Sequence, residues 1–455
     1  MRVTQSHNTE RWAVNMRIIK PRNTALTGDG ATPPALPAVT PAPKAAPAAP
    51  SWPGVELLND PITAEVLMSV WSGDAVTIVP SPPGSGKTRL TTLLAAALSH
   101  RAGLRVGIAA QTRAQAIDIA RRLSAVCDHT KVGLLWGRSD VAPDTGGCPI
   151  VGNGMKMWPD TGGMIRVATK SKWLFSEPEK LRADVLIVDE AYQATYADVG
   201  ALGSMAAQIV CVGDPGQIDP VITGDTSRWA SSPTGPHIPA PFALQAAHPT
   251  IVNTVALQYT WRLGPETTAM VQGRFYPQLP FTSRRPAEHL SKRGHELPEL
   301  THRTLRIANG ATDAALIRAA VERVHELIDD TDLTTESGTR PLTEDDVAVV
   351  VPHVPQAAAV RAMLSQYPGV LVGTADALQG LERAAVVAVH PLAGKRIADE
   401  FSVKPGRACV MLSRHRSHLS LLVDDQTDAV LSAAEGEDVE QAHAVLADML
   451  ATAAF

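Results

Sequence analysis

The sequence predicts an α/β protein with two parallel sheets, preceded by an extended arm. Three observations carry that expectation. Short apolar runs alternate with helix-length stretches, the pattern of strand–helix–strand units. The alternation occurs in two blocks, separated by the polar, charge-rich residues 284–304. Before the first block, 15 of the 20 residues from 31 to 50 are Ala or Pro, a composition that stiffens the chain and supplies no core.

Taken in order, residues 1–51 read as a disordered arm and linker. Their first 30 residues are basic but show no clear amphipathic face of a targeting helix. The first domain is expected over 52–283, with strands at 75–79, 104–110, 183–188 and 208–212 and helices at 88–99 and 113–126. The Gly-rich interval 133–163 reads as loop with little regular structure, and 284–304 as a hinge. The second domain, 305–426, is expected to hold helices at 311–328 and 356–364 and strands at 347–351, 370–374, 384–390 and 419–423. Residues 427–455 read as a helical tail.

Composition narrows the function classes. Lys and Arg total 41 against 46 Asp and Glu, a net charge of −5, which excludes a uniformly basic coat protein but leaves room for a locally cationic groove. No apolar run reaches the length of a membrane span. The four cysteines form no CxxC pair, so neither a disulfide framework nor a zinc ribbon is indicated, and reduced thiols in a cytoplasmic protein are the expectation.

Chemistry enters at the ends of the predicted strands. The first strand runs into SPPGSGKT, residues 81–88, and then into a helix. A glycine-bearing loop at a helix N-terminus points backbone N–H groups at phosphate, so Pro83, Gly84, Ser85, Gly86, Lys87, Thr88 and Arg89 are candidate nucleotide contacts. Lys87 would neutralise the β- and γ-phosphates, and Thr88 would offer its hydroxyl to Mg²⁺. The strand at 183–188 delivers Asp189 and Glu190, in DEAYQ. Asp189 suits the metal and Glu190 suits activation of a water. A third strand ends in GDPGQ, residues 213–217, where Gln217 would sense the γ-phosphate.

The order of these motifs resembles superfamily 1 helicases, and more closely the 5′-to-3′ branch that includes the nonsense-mediated-decay-type RNA and DNA helicases. DEAYQ and GDPGQIDP are similar to motifs II and III, and LQYTWRLGP, residues 257–265, to the segment that carries the γ-phosphate arginine, here Arg262. PHVPQ (352–356), TADALQGLE (374–382) and MLSRHR (411–416) resemble the later motifs, the last placing Arg414 as a second arginine at the phosphate. The resemblance implies two RecA-like P-loop NTPase domains, ATP and Mg²⁺ as ligands, and hydrolysis coupled to 5′-to-3′ movement on single-stranded DNA or RNA. It also implies that Gln379, Gly380 and Glu382 face ATP or the interdomain gap, and that Thr112, Thr374 and Asp376 lie near the nucleic-acid path. A monomer is expected, with the arm available to a protein partner. The glutamine that reads adenine in the family has no counterpart upstream of the phosphate loop, since no Gln occurs between Gln5 and Gln111. The alternative is a nucleotide-gated switch that repositions a protein without moving along a strand.

Overall fold

The apolar runs that end in motifs are the central strands of a parallel sheet in the computed structural model, which describes residues 52–137, 141–152 and 155–455. The expected disordered arm lies outside the described residues. The first sheet contains β1 (Val76–Pro80), β2 (Arg105–Ala110), β3 (Val132–Leu135), β4 (Ile150–Val151), β5 (Met164–Thr169), β6 (Ala183–Asp189), β7 (Ala206–Gly213) and β8 (Val252–Thr254), in the order β4-β3-β5-β2-β6-β7-β1-β8. Every pairing is parallel. All five residues of β1 are buried, as a strand covered on both faces must be.

Helices cover this sheet. α1 (Pro61–Ser72) starts on Asp60, whose carboxylate accepts from the N–H groups of Ile62 and Thr63. α2 (Lys87–Arg101) follows the phosphate loop and buries an unbroken run from Leu90 to Ser99. α3 (Arg113–Val126) begins with a capping box between Thr112 and Gln115. Two apolar clusters, built around Leu94 and Ile108 on one face and Trp173 and Leu186 on the other, fill the space.

Beyond β8 the chain adds β9 (Tyr259–Thr260), the helix α4 (Pro265–Phe275), β10 (Thr282–Ser283), β11 (His289–Lys292), β12 (His295–Glu296) and β13 (Leu300–Leu305). Then come α5 (Ala314–Ile328), β14 (Thr331–Thr335), β15 (Gly338–Pro341), β16 (Val347–Val351), α6 (Val354–Met363), β17 (Leu371–Thr374) and β18 (Arg383–Val389). The chain closes with α7 (Pro405–Leu412), β19 (His415–Asp424), α8 (Glu437–Leu450) and β20 (Ala453–Ala454). The second sheet is also parallel, in the order β17-β16-β18-β19-β13-β20. Two parallel sheets sandwiched by helices are the architecture of two RecA-like domains.

The structure differs from the sequence expectation in four places. Residues 284–304 do not serve only as a connector: β13 lies inside the second sheet, pairing with β19 from Leu300 to Leu305, and β11 and β12 join β14 and β15 in a separate antiparallel sheet. The segment counted with the end of the first domain packs with the second instead, because Leu263, Val271, Phe275, Tyr276 and Phe281 share a buried cluster with Leu419, Met411 and Leu446. The Gly-rich interval contains β4 and all but the first residue of β3, whose apolar residues reach the two clusters that flank the first sheet. The tail is helical through α8 but ends in β20, which pairs with β13. Among the described residues no helix is long and apolar enough to cross a membrane.

Candidate active site

The carboxyl ends of β1, β6 and β7 deliver the phosphate loop, Asp189–Glu190 and Gly213–Asp214 side by side, because these strands are neighbours in the sheet. Gly84 and Gly86 adopt left-handed backbone (φ 70° and 86°), which a glycine enters without strain. A Cβ on Gly84 would collide with Arg262, so this glycine also lets the arginine segment lie against the loop. The Pro83 carbonyl accepts from the Thr260 hydroxyl at 2.7 Å, and the Trp261 N–H reaches the Gly84 carbonyl at 2.9 Å. β9 and the residues after it are thereby fixed to the loop.

Glu190 also has left-handed backbone (φ 53°, ψ 45°), a conformation that costs a non-glycine residue energy and often marks a functional position. It brings the carboxylate to 3.9 Å from Lys87 Nζ. Lys87 lies 3.4 Å from Asp214, whose other donors include the Gln217 side-chain amide at 2.5 Å. Gln379 then donates to Gln217 at 3.1 Å across the lobes. Arg262 is ion-paired with Glu382 and donates to the Ser413 carbonyl at 3.2 Å. Burial works to raise the Glu382 carboxyl, but Arg262, Arg416 and Arg414 outweigh it and hold it below the usual range.

Arg414 is 2% exposed, and among the described residues its guanidinium meets neutral acceptors only: the Val410 carbonyl at 3.1 Å, the Leu381 carbonyl at 3.4 Å and the Ser413 hydroxyl at 3.4 Å. Burial, then the nearby Arg262 charge, pull its pKa down to about 10. A buried cation with no carboxylate in contact is costly unless an anion arrives. Glu190, Lys87, Gln217, Arg262 and Arg414 line one cleft of about 450 Å³ together with Gly84, Gly86, Thr88, Gly380 and Glu382.

The residues fit a Mg²⁺–nucleotide. Asp189 has a buried carboxylate oxygen, Oδ1, without a hydrogen-bond partner, and burial followed by the adjoining Glu190 charge pushes its pKa up to about 7. The Ser85 hydroxyl is likewise buried and unpartnered, and the space over Gly86 is open. Thr88 and Asp189 would hold the metal, which would supply charge neutralisation at the phosphates. This arrangement can hold the phosphates of a nucleoside triphosphate together with a metal ion. Residues 64–237 match the family model described as an AAA domain. No curated protein matches the chain.

Among solved structures, the chain is similar to the PRRSV helicase, at 16% identity and a TM-score of 0.41, covering 79% of this chain and 55% of that one. It is also similar to the arterivirus nonstructural protein 10 helicase (15% identity, TM-score 0.42, 81% and 64% covered) and to the same protein's complex with DNA (17%, 0.42, 80% and 64%). The chain therefore spans just over half to just under two thirds of the length of these proteins.

The remaining expected site residues lie elsewhere. Arg89 opens not into the phosphate cleft but into a neighbouring one of about 350 Å³, with Asn59, Gln258, Tyr259, Trp261 and Arg284. Gln379 sits behind Gln217 and does not line the phosphate cleft. Thr112 uses its hydroxyl to cap α3. The Thr374 hydroxyl accepts from the Ala377 N–H at 3.3 Å, holding the turn after β17. Asp376 pairs with Arg407 at 3.7 Å in a separate interlobe cleft of about 640 Å³ that also includes His237, Phe401 and Lys404. Sequence reasoning missed Arg122, which reaches the phosphate cleft from α3, and Arg383, since an isolated arginine outside a motif carries no local pattern.

Proposed function

We propose that this protein is an ATP-driven motor on single-stranded nucleic acid, a helicase or translocase of the superfamily 1 type with 5′-to-3′ polarity. The observation that carries the reading is the convergence on one cleft of Lys87 and Glu190 from the first lobe with Arg262, which bonds Glu382 and the Ser413 carbonyl, and Arg414, which bonds the Val410 and Leu381 carbonyls. ATP bound between them would draw Arg262 and Arg414 onto the γ-phosphate. Glu190 would orient and deprotonate the attacking water, while the cations stabilise charge as the terminal phosphoryl group leaves. Loss of that phosphate would release the lobe-to-lobe contacts, a two-state cycle biased by ligand.

A strand gripped by both lobes would be moved by that cycle. The second interlobe cleft supports such a path, with Lys404 and Arg407 as phosphate contacts on its lining. The deciding experiment is hydrolysis with and without single-stranded DNA or RNA. Stimulation well above about tenfold is expected for a motor, and Lys87→Ala and Glu190→Gln should abolish turnover. The capping role of Thr112 favours the second reading, a nucleotide-gated switch without translocation, because that hydroxyl is engaged within the fold. A rate indifferent to every polynucleotide would decide for the switch.

The base would lie in the cleft that opens from Ser85 and Gly86, away from the γ-phosphate machinery. Its exposed amides, Asn59 and Gln258, each offer both a donor and an acceptor. We therefore expect kcat/KM for ATP and GTP to agree within about tenfold, because strong discrimination needs buried polar groups left unpaired by the wrong base. A preference for ATP above about a hundredfold would refute this base site.

A further inference from the structure

Asp214 is more heavily engaged than an Asp-Pro-Gly turn requires. It is 2% exposed, and its carboxylate meets four donors: Lys87 Nζ at 3.4 Å, Gln217 Nε2 at 2.5 Å, the Gly216 N–H at 3.1 Å and Tyr276 Oη at 2.6 Å. The first three belong to the first lobe. Tyr276 follows α4 and packs in the second lobe's core, edge-on to Phe281 with ring centroids 5.4 Å apart. Its hydroxyl oxygen also stands 3.2 Å from Cys409 Sγ on α7.

A phenol has one proton to give, and a carboxylate is the stronger acceptor. Tyr276 therefore donates to Asp214, and the Cys409 thiol donates to Tyr276. Burial and then the Asp214 charge raise both groups, Cys409 to about 12 and Tyr276 well above its ordinary value, so both protons stay in place at working pH. The fit around them is tight. A Cβ at Gly216 would come within 2.5 Å of the Tyr276 ring, and one at Gly406 would strike the Gln217 carbonyl. α7 runs from Lys404 and Arg407 at the second cleft to the segment that holds Arg414 at the first.

We propose that Tyr276 is a positioning residue that couples the Asp214–Gln217 loop to α7, so that the departure of Lys87 from Asp214 toward a bound phosphate is transmitted to the second lobe. When Lys87 moves to the nucleotide, Asp214 loses a cation and strengthens its remaining bonds to Gln217 and Tyr276. Both are tied to the second lobe, Gln217 by Gln379 and Tyr276 by Cys409. The inference rests on the nucleotide-binding part of the proposed function and is independent of movement along a strand.

The test is backbone hydrogen exchange of the full chain with and without a non-hydrolysable ATP analogue and Mg²⁺, in the parent, Tyr276→Phe, Cys409→Ala and Cys409→Ser. The analogue should slow exchange at residues 84–90 in all four proteins. At residues 405–412 it should slow exchange about tenfold in the parent and in Cys409→Ser, which keeps a donor at that position. In Tyr276→Phe and Cys409→Ala the change at 405–412 should fall to less than about twofold. Equal protection of α7 in parent and Tyr276→Phe, or none in the parent, overturns the proposal, and Cys409→Ala gives the same decision should Tyr276→Phe not fold. Absence of protection at 84–90 in the parent overturns the nucleotide reading and this inference with it. A failure of the motor reading is seen separately, in a parent ATPase that no polynucleotide stimulates.

Discussion

Arg414 concentrates the chemistry of the cleft in one side chain. Its guanidinium is buried among carbonyls and a hydroxyl, so among the described residues no carboxylate contacts its charge. Such an arginine acts most strongly where negative charge develops in the transition state. Arg414→Ala should therefore still bind ATP while hydrolysis falls about a thousandfold, measured by nucleotide titration alongside steady-state turnover. Full turnover in that variant would remove Arg414 from the site. Glu190 and Gln217 were read from the ends of apolar strands and Arg262 from the family resemblance, and all three line the same cleft as Lys87. Tyr276 and Arg122 were not legible, because each reaches its partners from a distant helix segment and neither sits in a pattern of its own.

At the scale of elements, the strands with unbroken apolar runs were the readable ones. β1, β6, β16 and β18 are buried on both faces, so nearly every residue must be apolar. β13 reads LTHRTL and escaped notice because it lies between β19 and the two-residue β20, where polar side chains find partners or solvent. Thr301 bonds the Leu419 carbonyl at 3.1 Å, for example. The residue before β13 has a further task. Glu299 accepts from the N–H groups of Glu266 and Thr267 at 3.2 and 3.1 Å, capping α4 from another element. Glu299→Ala should cost about 1 kcal/mol of stability, as loss of a helix cap does, read as a shift in the urea unfolding midpoint. An unchanged midpoint would show that the cap contributes nothing.

For the molecule as a whole, acid should weaken the second lobe first. His390 and His418 are buried on its sheet, and burial brings each down to about 4, with Arg323 adding to the effect at His418. In the unfolded chain they titrate near their ordinary value of 6.5. Between these values the unfolded state binds more protons than the folded one, so stability rises with pH there and is lost as pH falls from 6.5 toward 4. The loss amounts to about 3 kcal/mol per histidine at most, and the melting temperature should fall over that window and less so in His390→Gln. A flat profile would contradict the buried neutral state.

The pairing of Arg262 with Glu382 has a consequence for affinity. A triphosphate entering the cleft takes over a guanidinium that already has an anionic neighbour, so one internal anion is exchanged for an external one. The displaced carboxylate keeps Arg416, 3.8 Å away, as its remaining counter-charge. Nucleotide binding should then depend on ionic strength less steeply than the number of cations around the phosphates would suggest, and Glu382→Gln should steepen that dependence.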